Sequence, residues 1–279
     1  MQALGRLGFV GTGKITSAVV DGLFATRCPP VVAPVVLSPR GSHAPDLLNR
    51  LGPERVTIAS SNQAVLDASD TVFLALRPPD AIAALKQLCF RPSHLCVSLM
   101  HGISPAAIAA AASGCEESSI VRVNPLPACA TCDGITAMHP PHPAVSALFR
   151  ELGSVHEVES LDELHVLHAA SCLMGPIFQL MQTGATWTAA AAAERGGRIT
   201  EAAAERYMQD LLSSVAAEAS KDTRYGFASL VAQQTRGGLN EKNIARLTGA
   251  GVFDATADAL GATLRDLRAA NLQSEGRDQ

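Results

Sequence analysis

The stretch Gly8-Phe9-Val10-Gly11-Thr12-Gly13-Lys14-Ile15-Thr16-Ser17-Ala18 decides the reading of this chain. Leu7, Phe9 and Val10 have the apolar character of a short buried strand, and Ala18, Val19 and Leu23 continue it at helical spacing. Gly11 and Gly13 stand where that strand turns into a helix. A tight turn there needs positive φ, and a pyrophosphate approaches a backbone only where no Cβ blocks it. The N–H groups of the helix start then face the phosphates. Thr16 takes the third position of G-x-G-x-x-G, so the motif is imperfect and its meaning depends on the rest of the chain.

Strand and helix signals alternate from there. Val31-Val32 and Val35-Val36-Leu37 predict a second strand, and 44–51 a helix. Val56-Thr57-Ile58, the continuous apolar run 70–76, Leu95 to Leu99 and Ile120 to Val123 predict further strands. Helices are expected over 63–68, 80–88 and after Ser104-Pro105, where Ser104 caps and Pro105 fits the first turn. This alternation predicts a parallel, doubly wound α/β sheet. Its ligands bind beyond the strand ends: Gly11, Ser38, Ala75 to Pro78, Ser98 to Gly102 and Arg122 to Pro127. No acidic residue closes the second strand to hold ribose hydroxyls. Ser38, Arg40 and Ser42 stand there instead, a set suited to a 2′-phosphate, which points to NADP. The predicted cofactor site is Gly11, Thr12, Gly13, Lys14, Ile15, Ser38, Arg40, Ser42, Asn62, Ala75, Leu76, Arg77 and Pro78.

Composition bounds the alternatives. The chain has 279 residues, 47% apolar and 17% charged, which predicts a globular protein of two domains. A net charge of −4 argues against a nucleic-acid partner. Seven cysteines, an odd number, with no export signal at the start, predict reduced thiols and a cytoplasmic location. The apolar run Val166 to Trp187 is interrupted by His168, Pro176, Gln179 and Gln182, which favours a helix buried between subunits over a membrane span. Cys129-x-x-Cys132 lacks a second pair, and His139-Pro140-Pro141-His142 and His165-x-x-His168 lack accompanying carboxylates, so no metal site is expected.

After Leu152 to Glu159, a last strand, the alternation stops. Ser160-Leu161-Asp162-Glu163 is a capping pattern, and a long helix should follow to about residue 192, bent or broken at Pro176. Thr200 caps a helix over 201–221, another is expected over 225–233, and two shorter ones run to about residue 270, before a polar, frayed tail after Asn271. Gly237-Gly238 at a helix start can offer N–H groups to a carboxylate, with Asn240 as a side-chain donor. His101, at a strand end beside the expected nicotinamide pocket, can orient a substrate or shuttle a proton, and Asn124 stands at the next strand end.

The chain resembles the pyrroline-5-carboxylate reductase family. Gly8-Phe9-Val10-Gly11-Thr12-Gly13 is similar to its opening motif, Ala75-Leu76-Arg77-Pro78 to its A-V-K-P, Ser98-Leu99-Met100-His101-Gly102-Ile103 to its S-x-x-A-G-[IV], and Arg122 to Ala128 to its R-x-M-P-N-T-P-A. Cys172-Leu173-Met174-Gly175-Pro176 corresponds to S-G-S-G-P, and Thr235-Arg236-Gly237-Gly238-Leu239-Asn240 to S-P-G-G-T-T. The resemblance implies an NADP-binding, doubly wound parallel Rossmann sheet over 1–159. It implies an all-helical dimerisation and substrate domain over 160–279, and a homodimer or higher homo-oligomer. It also implies reduction of the C=N bond of a small cyclic imino acid, with pyrroline-5-carboxylate, the precursor in proline biosynthesis, as default. Gly237, Gly238, Leu239, Met174 and Asn124 are then the substrate-binding candidates, and Asn240 and His101 the catalytic ones. Leu239 and Asn240 replace two threonines that hold the carboxylate or supply a proton in the family. This keeps open another imine or keto acid as substrate, or a non-catalytic nucleotide-binding protein.

Overall fold

The computed structural model describes residues 4–25, 32–41, 43–221 and 226–276. The expected alternation is present: β1 Arg6–Val10, α1 Lys14–Leu23, β2 Val32–Leu37, α2 Ala44–Leu51, β3 Val56–Ile58, α3 Asn62–Asp67, β4 Thr71–Leu74, α4 Pro78–Leu85, β5 Leu95–Ser98, α5 Pro105–Ala111 and β6 Ile120–Pro125. Then come β7 Gly134–His139, α6 Pro143–Glu151 and β8 Gly153–Glu157. The remaining helices are α7 Leu161–Ser171, α8 Met174–Ala193, α9 Glu201–Lys221, α10 Phe227–Ala232, α11 Leu239–Gly249 and α12 Val252–Gly276.

The strands form one sheet in the order β3-β2-β1-β4-β5-β6-β7-β8. Side chains alternate between its two faces. Leu7, Phe9, Phe73, Val97 and Val121 fill a core on one face. Val10, Val72, Leu74, Cys96 and Ile120 fill the core on the other. Phe9 and Phe73, side by side on β1 and β4, stack with ring centroids 4.6 Å apart. The purely parallel sheet expected from the sequence needs one correction: β7 runs antiparallel to β6. Only residues 126–133 join them, around a single 3₁₀ turn at Pro127–Thr131, and a parallel return needs a crossover of a dozen residues or more.

The caps read from the sequence are made. The Ala107 N–H donates to Ser104 Oγ (3.1 Å), the Glu163 N–H to Ser160 Oγ (3.1 Å) and the Ala203 N–H to Thr200 Oγ1 (3.2 Å). Pro176 does not bend a helix interior. It sits in the first turn of α8, where its missing N–H has no partner to lose, and the break lies at Cys172-Leu173. Residues 161–193 together are long and apolar enough to cross a membrane by length and composition, with mean hydropathy 1.3.

The chain divides into two compact units, one of Met1–His168 with Leu264–Gln279, the other of Ala169–Thr263. The division expected at 159/160 is thus displaced, and the last turns of α12 belong with the sheet. The expected frayed tail after Asn271 is likewise replaced by helix through Gly276. Polar side chains hold it there: Arg268 makes a bidentate pair with Asp162 (2.7 Å each), Asn271 meets the His165 ring, and Ser274 Oγ accepts from the Ser104 N–H (3.1 Å). In the second unit α8 and α9 lie so close at Gly184 that a Cβ there would stand 3.1 Å from Met208 Sδ.

Candidate functional site

A cleft of about 710 Å³ opens at the C-terminal ends of β1, β2 and β4. Gly11, Thr12, Gly13, Ser38, Arg40, Asn62, Ala75, Leu76 and Arg77 line it, as the sequence placed them. Lys14 and Ile15 form the first turn of α1 outside that lining, Pro78 opens α4 on its far side, and Ser42 lies outside the described residues. The far wall, Pro79, Asp80, Ala83, Ala84 and Gln87 on and just beyond α4, was not read from the sequence. Its only signal was the position of a helix directly after the β4 strand end.

Each glycine of the turn has its own reason. Gly11 has φ +98, and a Cβ there would meet the Ala75 carbonyl oxygen at 2.5 Å. Gly13 is extended at φ −100, and a Cβ on it would meet nothing within 4 Å among the described residues. Its bareness therefore serves whatever occupies the cleft: the site fits a dinucleotide whose phosphates lie against the start of α1. Thr16, in place of the third glycine, is fully buried and donates its hydroxyl to the Gly11 carbonyl at 2.8 Å. The imperfect motif is a substitution that ties helix to turn.

Ser38 takes a different part from the one its position suggested. It is fully buried, its Oγ accepts the Gly11 N–H at 3.0 Å, and it lies 3.2 Å from Thr12 Oγ1. That hydroxyl is committed to holding the glycine turn. Of the two described members of the predicted 2′-phosphate set, Arg40 is the one exposed at the rim. Arg77 at the β4 end forms an exposed ion pair with Asp80 at 2.8 Å.

Along the strand order, a second pocket of about 460 Å³ lies at the β5 end. It shares Pro79 with the cleft and is lined by Pro78, Ile82, His101, Gly102, Ile103 and the α12 residues Ala270, Gln273 and Ser274. His101 also meets His168 edge to face, with ring centroids 5.8 Å apart. Behind it lies Arg122, only 4% exposed, whose Nη1 donates to the Ile103 carbonyl at 2.7 Å and whose Nε has no hydrogen-bond partner among the described residues. Burial pulls the Arg122 guanidinium down to about 10, so it stays charged at neutral pH. Burial, then the Arg122 charge, holds His101 and His165 below the usual imidazole range. Burial pushes His168 down to about 4, reinforced by His101, Arg122 and His165. Near neutral pH these rings are neutral, able to accept as well as donate. In the sequence Arg122 is a strand end and the first residue of the segment resembling R-x-M-P-N-T-P-A; no pattern there reports its burial. Asn124 sits near the end of β6, in register with Ala137.

The other predicted substrate residues lie in the second unit. Met174 is the first residue of α8. Gly237 has φ +73, and its N–H donates to Glu241 Oε2 at 2.6 Å. Gly238 caps α11 with no side-chain bond, Leu239 is 80% exposed, and Asn240 Nδ2 donates to Gln234 Oε1 at 3.0 Å. The two glycines do form a helix N-terminus, as the sequence implied.

Residues 6–102 match the protein family described as NADP oxidoreductase, coenzyme F420-dependent. No curated protein matches by sequence. Among solved structures, the 1-pyrroline-5-carboxylate reductase of Streptococcus pyogenes superimposes with TM-score 0.76 at 20% identity, covering 95% of this chain and 98% of that one. The Plasmodium falciparum pyrroline carboxylate reductase, solved with NADP bound, gives TM-score 0.77 at 16% identity over 95% and 98% of the two chains. A reductive aminase of Aspergillus terreus, in complex with NADPH and ethyl levulinate, gives 0.54 at 15% identity over 96% and 92%. The chain therefore shares the fold of the pyrroline-5-carboxylate reductases over nearly its whole length, and its segment 6–102 matches the family described as NADP oxidoreductase, coenzyme F420-dependent.

Proposed function

We propose that the protein is an NADP-dependent reductase of the C=N bond of a small cyclic imino acid, with pyrroline-5-carboxylate as the default acceptor. The observation that carries this is the bare Gly13 edge of the cleft, open at the start of α1, with the pocket at His101 adjoining the cleft at their shared wall residue Pro79. The family match over β1 to β5 and the likeness to reductases solved with NADP and NADPH support the cofactor. Gly11, Thr12 and Gly13 would hold the pyrophosphate, Arg40 the 2′-phosphate by charge, and Ala75 to Arg77 the middle of the dinucleotide. Bound there, the cofactor supplies a hydride to the acceptor.

The chain's own residues do the rest. They orient the acceptor and see to a proton for the nitrogen. His101 is neutral at working pH and stands at the strand end where the acceptor pocket begins. It would pass its N–H proton to the acceptor nitrogen, directly or through a water, and recover a proton from solvent at its other ring nitrogen. Gly237, Gly238 and Asn240 lie at the start of α11, where an acceptor carboxylate would take the place of Glu241 on the Gly237 N–H and use the Asn240 amide N–H not given to Gln234.

We propose further that the protein is a homodimer or larger homo-oligomer. Ile177, Phe178, Leu180 and Trp187 on α8 are 41–70% exposed, a row of large apolar side chains that a second copy would cover. The second functional reading is a different imine or a keto acid as acceptor, favoured by Leu239 and Asn240, where the resembling family has hydroxyls. The test is NADPH oxidation, followed by absorbance, across cyclic imines and keto acids. Turnover of pyrroline-5-carboxylate above the rest supports the first reading, and turnover of another acid supports the second. NADPH binding without any turnover defeats both.

A further inference from the structure

The pocket at the β5 end has a wall that the reductase reading leaves without a role. Its floor is His101, Gly102 and Ile103, and one side is Pro78, Pro79 and Ile82. The other side is one turn of α12 from the same chain, at Ala270, Gln273 and Ser274. That turn is fixed in place. Ser274 Oγ accepts the Ser104 N–H at 3.1 Å and donates to the Asn271 carbonyl at 2.6 Å. Asn271 meets the His165 ring, and Arg268 pairs with Asp162 at 2.7 Å. The approach of α12 depends on Gly102, which has φ +72. A Cβ there would stand 3.1 Å from the Ala270 Cβ. Asn271 and Ser274 are buried by these contacts, while Gln273 between them is exposed and turned into the pocket lining.

The lining is thus apolar over most of its residues, with His101, Gln273 and Ser274 as its polar side chains. Ser274 is already committed to backbone partners. A pocket of about 460 Å³ falls within the range of about 300–1,000 Å³ that encloses drug-sized ligands, which leaves room for an acceptor larger than a five-membered ring beside a nicotinamide. A site built to hydrogen-bond one substrate group discriminates strongly against analogues that lack it.

We propose that Gln273 is a specificity-determining residue, and that this pocket selects an imine or ketone with a bulky apolar body carrying a hydrogen-bonding group. The body lies among Pro78, Pro79, Ile82 and Ile103, and the polar group meets the Gln273 amide. This rests on the NADP-dependent reductase reading and takes the second of its acceptors, a different imine, in place of pyrroline-5-carboxylate.

The experiment has two arms. NADPH binding is first titrated by fluorescence in wild type and in Gln273→Ala. Equal, saturable binding in both is the expected result. Failure of wild type to bind NADPH overturns the reductase reading itself. Steady-state kcat/KM is then measured with NADPH for pyrroline-5-carboxylate, 2-phenyl-1-pyrroline and 2-(4-hydroxyphenyl)-1-pyrroline. Wild type should favour the hydroxyphenyl imine over the phenyl imine by about fivefold, the size of one neutral hydrogen bond, and both over pyrroline-5-carboxylate. Gln273→Ala should bring the two aryl imines within about twofold, through KM rather than kcat. An unchanged ratio in Gln273→Ala overturns the proposal. So does a wild-type preference for pyrroline-5-carboxylate, or binding of NADPH with no turnover of any of the three. Gln273 is exposed, so the variant tests the pocket rather than the fold.

Discussion

The Gly11 N–H donates to the hydroxyl of Ser38 at 3.0 Å, joining the end of β2 to the glycine turn at the end of β1. The bond is enclosed by protein, with Ser38 fully buried. Ser38→Ala would leave that N–H unsatisfied at a position with φ +98. The expected loss is about 1–3 kcal/mol of stability by urea unfolding, with weaker NADPH binding. Unchanged stability would show that water replaces the hydroxyl.

Arg40 stands exposed on the cleft rim where an NAD-binding protein would place an acid. NADPH should bind more tightly than NADH, and Arg40→Ala should narrow the gap. Removing one charge-assisted contact is expected to reduce it by about 1.5–3 kcal/mol, tenfold or more. Fluorescence titration with both nucleotides at fixed salt decides it, and a wild-type preference for NADH would remove the case for NADP.

The His168 imidazole is pushed from 6.5 to about 4 in the folded protein. Below pH 6.5 an unfolded chain takes up a proton that the folded one refuses. Stability from this group is therefore complete above about pH 6.5 and is lost as pH falls toward 4, with a slope of about 1.4 kcal/mol per pH unit. His101 and His165 are lowered in the same direction. Arg122→Met removes a cation that contributes to all of these shifts, so urea midpoints measured between pH 7 and pH 5 should fall less steeply than in wild type. Burial remains the larger cause, and some slope should persist.

Phe178, 59% exposed on α8, lies in the apolar row assigned to contact with a second copy. The protein should be at least dimeric at micromolar concentration by light scattering, and Phe178→Glu should shift it toward monomer, because burying a carboxylate in an apolar interface is costly. A monomeric wild type would sink the assembly.

Asn240 at the α11 start holds Gln234 at 3.0 Å. Asn240→Ala should raise the KM for the acceptor, by about tenfold at most, and leave the NADPH dissociation constant within about twofold. Equal effects on both would mean that this loop is only a turn.

Local sequence determined a great deal here. The order of β1 to β6, the caps at Ser104, Ser160 and Thr200, and the strand ends that line the cleft all come from apolar runs, glycines and capping residues within a few positions of one another. Such signals are short in range, so they survive without knowledge of the rest of the chain. What only the tertiary structure decided involves residues far apart. The pairing of β7 beside β6, antiparallel to it, and of β8 beside β7 joins strands that no local pattern assigns to one another. The recruitment of Ser38 to Gly11, and of Asn271 and Ser274 to His165 and Ser104, joins positions separated by 27 to 170 residues. The charge of Arg122 became consequential only once folding removed it from water beside His101, His165 and His168. Desolvation is a property of the whole packed molecule, and no local pattern in the chain announces it.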